Sequence, residues 1–288
     1  MPTVSNLNQY SFAFNGYVFG GGNSVHQILD VSGLEALPNI RNQDDNRGYQ
    51  DGMFTGNDFL SGREITITIL TVGGNGYSAQ QNYNFLQQAL LPQTSGTTPL
   101  QFQLSLASGL QRVYARVRAN KTLVDPEYTY GYIKSQYSFF CPDPRYYDDA
   151  LQTANLTVTN ALGRIYNRTY NLVYGFSTSG GAATVINNGW ATTYPTITVS
   201  GPIVNPTIGN GTTSNYVTVT GLYTNTDLIT IDLDSKLVTV NGNPARNLVA
   251  GTSTWFGAIP GANAFYLTGS GTLAGTTSAT VSWRSANI

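Results

Sequence analysis

The stretch Asn187-Asn-Gly-Trp-Ala-Thr-Thr-Tyr-Pro-Thr-Ile-Thr-Val-Ser-Gly-Pro-Ile-Val-Asn-Pro206 constrains the fold of this chain more than any other. It opens on an Asn-Gly-Trp turn and passes through Tyr194-Pro195 into an alternating segment with Ile197 and Val199 on one face. It stops at Gly201-Pro202. Alternation over a few residues between turn formers marks a half-buried strand. The stretch holds no acid–base pair, metal-ligand set or phosphate loop, so it speaks for architecture rather than chemistry. Similar short runs recur at 155–159, 170–176, 194–200, 215–220, 227–232, 236–241, 264–268 and 278–284, with Gly, Asn, Asp and Ser between them. Short strands at this spacing predict a β-sandwich. Asp232-Leu-Asp-Ser-Lys236 reads as the hairpin connection between Ile229/Ile231 and Val238/Val240.

The surface chemistry agrees. Of 288 residues, 41% are hydrophobic and only 10% charged, against about 25% charged in an ordinary soluble domain. Thr, Asn, Ser, Gly and Tyr fill the surface, and they favour strands and turns over helices. Few charges also mean weak repulsion between copies, which suits a subunit of an assembly. The formal net charge of -1 offers no footprint for non-specific nucleic-acid binding. A single cysteine, Cys141, excludes an internal disulfide framework and a Cys-based zinc site. Met1-Pro-Thr-Val-Ser-Asn lacks a basic start and an apolar segment, so no signal peptide is expected. No apolar run nears the roughly 20 residues that span a bilayer, so no membrane insertion is expected. The Asn-x-Thr triplets at Asn120, Asn155, Asn167 and Asn210 then read as composition rather than glycosylation acceptors.

The first half is patterned differently. Residues 10–19 predict a hairpin turning at Asn15-Gly16, since both residues tolerate positive φ. Glu64–Val72 sets Ile65, Ile67 and Ile69 against Thr66 and Thr68, a strand. One helix is expected over 78–91, with Ser78 as N-cap, Ala79, Tyr83, Leu86 and Leu90 on one face, and Pro92 as the stop. Residues 112–118 set Val113, Ala115 and Val117 against Arg112, Tyr114, Arg116 and Arg118. The aromatic-rich run 128–140 reads as another strand. Residues 41–62 carry Asp44, Asp45, Arg47, Asp51 and Asp58 among four glycines and read as a long polar loop, a class that is functional or disordered. Cys141-Pro-Asp-Pro-Arg-Tyr-Tyr-Asp-Asp149 breaks the pattern and places a domain boundary, giving domains 1–148 and 149–288. The expected fold class is mainly β with one helix.

Candidate chemistry is sparse. His26, the only histidine, has no visible partner for catalysis and reads as a structural residue. Cys141 lies beside Pro142 with no local base, so an inert thiol is expected. Asp143, Asp148 and Asp149 lack the glycine turn and final glutamate of a helix-loop-helix calcium site, and the acids of 41–62 read as a solvated loop. Gly20-Gly-Gly-Asn23 has neither the strand-to-helix setting nor the Lys-Ser/Thr of a phosphate cradle. No catalytic residue, cofactor or metal is expected.

The ordered motifs resemble a known family. They are the aromatic hairpin, the Gly/Asp loop, Gly62-Arg-Glu-Ile-Thr-Ile67, the helix ending Leu90-Leu-Pro92, and Phe139-Phe-Cys-Pro-Asp-Pro-Arg-Tyr-Tyr147. The second half adds Asn188-Gly-Trp, Tyr194-Pro-Thr-Ile, Gly201-Pro-Ile-Val-Asn-Pro206, Leu228-Ile-Thr-Ile-Asp232, Val240-Asn-Gly242, Trp255 and Ile259-Pro-Gly-Ala-Asn263. The set resembles the distal tail protein of long non-contractile-tailed (siphovirus) bacteriophages over nearly the whole chain. The resemblance implies an N-terminal β-sandwich-like domain that forms a six-membered ring, and a C-terminal galectin-like β-sandwich hung outside it. It implies a structural virion protein at the distal tail tip, assembled in the host cytoplasm and joining the tail tube protein to the tail-tip protein. DNA would leave through the ring without specific binding. There is no room for the added carbohydrate-binding insertions of some members.

A galectin-like domain invites a sugar-binding alternative, a lectin-like adhesin, with Trp190, Tyr194 and Trp255 as stacking platforms. Galectin sites gather His, Arg, Asn, Glu and Trp on one sheet, and the second half has neither histidine nor glutamate, so packing aromatics are the expectation. A glycoside hydrolase would need two carboxylates across a cleft, whereas Asp227, Asp232 and Asp234 cluster around one hairpin. Arg112, Arg116 and Arg118 repel one another on one strand face. They fit either acidic groups on a neighbouring copy or a solvated face, and the sequence leaves both open.

Overall fold

A computed structural model describes residues 4–22, 24–105, 109–161, 177–179, 181–269 and 275–288. The expected strand at 170–176 lies outside the described residues. The chain divides into two compact units, Met1–Asp149 with Ile288, and Ala150–Asn287.

In the first unit the hairpin forms as expected. Ser11–Phe14 pairs with Tyr17–Gly20, and Asn15 (φ 51) and Gly16 (φ 80) make the turn. Its strands continue into a sheet in the order Tyr17–Gly20, Ser11–Phe14, Thr98–Gln103, Gln111–Leu123, Ile133–Cys141, Arg63–Thr71, His26–Ser32. The 13-residue strand Gln111–Leu123 turns the corner. Its first part pairs with Thr98–Gln103 and its second with Ile133–Cys141. The sheet therefore folds over one core, in which Phe12, Phe14, Phe19 and Phe102 meet Ile65, Ile67, Ile69 and Phe139.

The helix spans Ala79–Ala89. Ser78 and Gln81 form a capping box, each side chain serving the other's backbone N–H. Ala79, Tyr83, Leu86 and Leu90 are all buried, the face the spacing predicts. At 128–140 the structure differs from the expectation. Pro126–Tyr130 is a 3-10 turn ended by left-handed Gly131, and the strand begins only at Ile133. Proline at the head of the turn and glycine at its end outweigh the strand preference of the tyrosines.

The second unit is a two-layer sandwich. One sheet runs in the order Ser177–Ser179, Gln152–Ala161, Gly275–Trp283, Thr196–Ser200, Leu228–Asp232, Leu237–Val240, Asn243–Pro244. The other runs Gly181–Asn187, Gly261–Thr268, Thr207–Asn210, Asn215–Thr218. Ile197, Val199, Ile229 and Ile231 of the first pack with Val185, Ile208, Phe265 and Leu267 of the second in one core. Inward Val and Ile alternate with outward Thr along these strands, as a two-faced sheet requires.

Candidate assembly surface

The loop expected at 41–62 is an extended hairpin. Ile40–Arg41 pairs with Phe59–Leu60, and Asp45–Asn46 pairs with Met53–Phe54. Between these two short ladders the Asp44 carboxylate accepts from the Gly56 backbone N–H (3.0 Å) and from the Asn42 side-chain amide (3.1 Å). The two chains run so close here that a Cβ on Gly56 would lie 2.1 Å from the Gln43 carbonyl oxygen. Every residue from Asn39 to Leu60 is exposed, including Ile40, Tyr49, Met53, Phe54 and Phe59. The arm's two arginines are engaged with its own rings: Arg41 lies 5.5 Å from the Phe59 centroid and Arg47 5.0 Å from that of Phe54. Among the described residues no ion pair involves Asp45, Asp51 or Asp58.

The root of this arm is fixed. Arg63, only 2% exposed, donates through Nη1 to the carbonyls of Gly33 (3.0 Å), Leu34 and Ala36 (2.8 Å), and through Nε to Pro144 (3.0 Å). Burial lowers its pKa. Hydrogen bonds to a buried cation are strong, so the segment that enters the arm is tied to the strand that leaves it.

The strand Gln111–Leu123 sorts its arginines. Arg112 does not share a free face with the other two, as the alternation suggests. Its guanidinium is 2.6 Å from the Asp149 carboxylate, with side chains 9% and 17% exposed, and Gln101 donates to the same oxygen at 2.9 Å. This pair lies inside one chain, so Arg112 already has an acidic partner of its own. Arg116 is half-buried and donates to the Gly96 carbonyl. Arg118 is exposed and lies 4.6 Å from the Phe140 ring centroid. A register shift between Val117 and Ala119 makes Arg118 the extra residue of a β-bulge. The bulge keeps Arg118 on the side of Arg116 and its cross-strand partner Phe140. Lys121, opposite Gln136, is exposed beyond them and extends the row. Among the described residues none of these three cations is in an ion pair. The one carboxylate nearby in register is Glu64, opposite Phe140, and it accepts from Ser138 at 2.6 Å. The sequence pattern misses Lys121, because the bulge resets the alternation just before it.

Other candidates take structural places. The Tyr17 hydroxyl lies 2.7 Å from His26 Nε2 and the Thr71 hydroxyl 3.0 Å from Nδ1, and burial lowers the His26 pKa to about 4. Cys141 is buried and its pKa is pushed up to about 12, so the thiol stays protonated. Asp143 accepts from the Arg145 backbone N–H (3.1 Å) and the Tyr147 hydroxyl, closing a turn. Among the described residues no group of three His, Cys, Asp or Glu side chains is placed to hold a metal. Of the candidate sugar platforms, Tyr194 and Trp255 pack against the sandwich core. Trp190 is 71% exposed.

Comparison with known proteins defines the class. Residues 188–286 match the family described as siphovirus-type tail component, C-terminal domain. The whole chain has the fold of the Dit protein of phage SPP1, described as a paradigm of the hub adsorption apparatus in phages that infect Gram-positive hosts. The TM-score is 0.61 at 16% identity, over 96% of this chain and 99% of that one. A chain of the phage P2 baseplate in its activated conformation with Ca matches at TM-score 0.51 and 11% identity, over 96% and 98%. No curated protein is significantly similar in sequence. The chain thus has the fold of the SPP1 Dit protein, and its residues 188–286 match the model of a siphovirus-type tail component's C-terminal domain.

Proposed function

We propose that this protein is the structural hub at the distal end of a siphovirus tail. Copies of residues 1–148 build a ring, six in our reading, and residues 149–288 form its appended sandwich. The ring joins the tail tube protein to the tail-tip protein that leads host adsorption, and DNA passes through it without specific binding. The protein acts by assembly in the virion rather than by catalysis, and it assembles in the host cytoplasm. The single observation that carries this reading is a fold shared end to end with a hub protein, with the tail-component domain in the same chain. The exposed arm of the first unit supports it, since a chain built to remain alone seldom leaves Ile40, Met53, Phe54 and Phe59 together uncovered on one projecting segment.

Light scattering across a concentration series, alone and with the tail-tip partner, tests the reading. A species several times the 31.0 kDa chain mass is expected. A strict monomer under all those conditions would sink it.

A further inference from the structure

We infer that the arm 39–60 of one copy docks on the basic row Arg116, Arg118 and Lys121 of the next copy. This inference rests on the ring reading above and names the two surfaces that build it. Three observations lead to it. First, the arm is not covered by its own chain, since every residue along it is exposed. A two-stranded hairpin alone in water is marginal, so an arm with Met53 and Phe54 at its outer ladder calls for a cover. Second, the charges are divided. The arm keeps its cations on its own rings and leaves Asp45, Asp51 and Asp58 outside any ion pair. The basic row has the opposite surplus, with Arg118 and Lys121 exposed. Third, the two surfaces differ and belong to one chain. A reciprocal two-fold exchange of arms would stop at a dimer, whereas a head-to-tail contact of arm on row repeats from copy to copy and generates a ring. The Arg63 clamp holds the arm's root, so the arm projects in a set direction and loses less freedom on docking.

The test uses the full chain. Isotope-labelled and unlabelled copies are mixed, treated with a zero-length carbodiimide, and the joined peptides read by mass spectrometry. Mixed-isotope links between Lys121 and Asp45, Asp51 or Asp58 are expected. Mixed-isotope links that never reach the arm would overturn this inference and leave the hub standing. No mixed-isotope links together with a monomeric mass would overturn both. A charge exchange gives an independent check. Asp45→Lys with Asp51→Lys makes arm and row both basic, and Arg118→Glu with Lys121→Glu makes both acidic. Each variant alone should need about tenfold or more higher concentration to half-assemble. A one-to-one mixture should recover, because the two kinds can alternate around an even-membered ring. All four side chains are exposed, so both variants should melt like the parent. Assembly of each variant alone at parental concentration would reject the docking.

Discussion

The first unit contains two hairpins that answer to different forces. In Ser11–Gly20, Phe12, Phe14 and Phe19 are fully buried, and Phe12 stacks on Phe19 at 5.9 Å and on Phe102 at 6.1 Å. Its turn is made by two residues that accept positive φ. In the arm 39–60 nothing is buried, the ladders are two residues each, and the Asp44 carboxylate, accepting from the Gly56 N–H, stitches the gap. The first hairpin is stabilised by the fold that it helps to build. The second buries nothing in that core, and its Phe59 and Phe54 rings meet Arg41 and Arg47 of the arm itself. Aromatic content alone does not separate the two, and burial does.

The largest test of this contrast is Phe12→Ala. Removing a fully buried ring with two stacking partners should cost about 3–5 kcal/mol. Urea denaturation of the isolated chain measures it. A loss below about 1 kcal/mol would mean that the hairpin is as detachable as the arm, and the comparison would fail.

Acid should act next, through the first hairpin. Tyr17 ties that hairpin to His26, which stays neutral because its folded pKa is about 4 against an ordinary 6.5. The unfolded chain takes up the proton first as pH falls, so the folded state loses stability between about pH 6.5 and 4 and keeps it above that window. The shift corresponds to about 3 kcal/mol at its full extent. Denaturation midpoints at pH 7, 5.5 and 4, compared between the parent and His26→Gln, isolate this contribution from the carboxylates. A parallel pH slope in both proteins would remove His26 as the cause. The arm should respond to salt instead, since its free acids are exposed and screened at high ionic strength.

The same contrast explains what could be read from the residues. The Phe-rich hairpin, the strand Arg63–Thr71 and the capped helix are legible because local turn chemistry, alternation and burial agree there. The arm is not legible as a hairpin. Two-residue ladders are too short to show a period, and an exposed strand needs no apolar alternation. The intrachain pairing of Arg112 is not legible, because its partner, Asp149, lies 37 positions away. Of the candidate interface, Arg116 and Arg118 are visible in the alternation. Lys121 is hidden by a bulge that only pairing with Ile133–Cys141 reveals. In the second unit the outward Thr and inward Ile alternation makes the sandwich readable, and the same alternation leaves Trp190 to a turn and Tyr194 and Trp255 to the core edge.

The smallest effect on folding should come from Phe54→Ala, and this makes it the sharpest test. Phe54 is 61% exposed in the arm's outer ladder, and Arg47 lies 5.0 Å from its ring centroid. An exposed cation–π contact contributes about 0.5–1 kcal/mol, and surface substitutions usually stay near 0.5 kcal/mol. The isolated chain should therefore melt within about 1 kcal/mol of the parent. An aromatic ring at the centre of a docked patch behaves differently, because truncating a buried anchor costs about 2 kcal/mol or more. Assembly of the same variant should then need roughly thirtyfold higher concentration, since each 1.4 kcal/mol is about tenfold. The measurement pairs a urea curve with light scattering on one preparation. Equal, small losses in both would make Phe54 a solvated ring. A large loss in the urea curve would show that the arm belongs to the fold after all, like the first hairpin. Only a stable monomer that assembles poorly keeps the two hairpins apart, one holding the chain together and the other reaching for its neighbour.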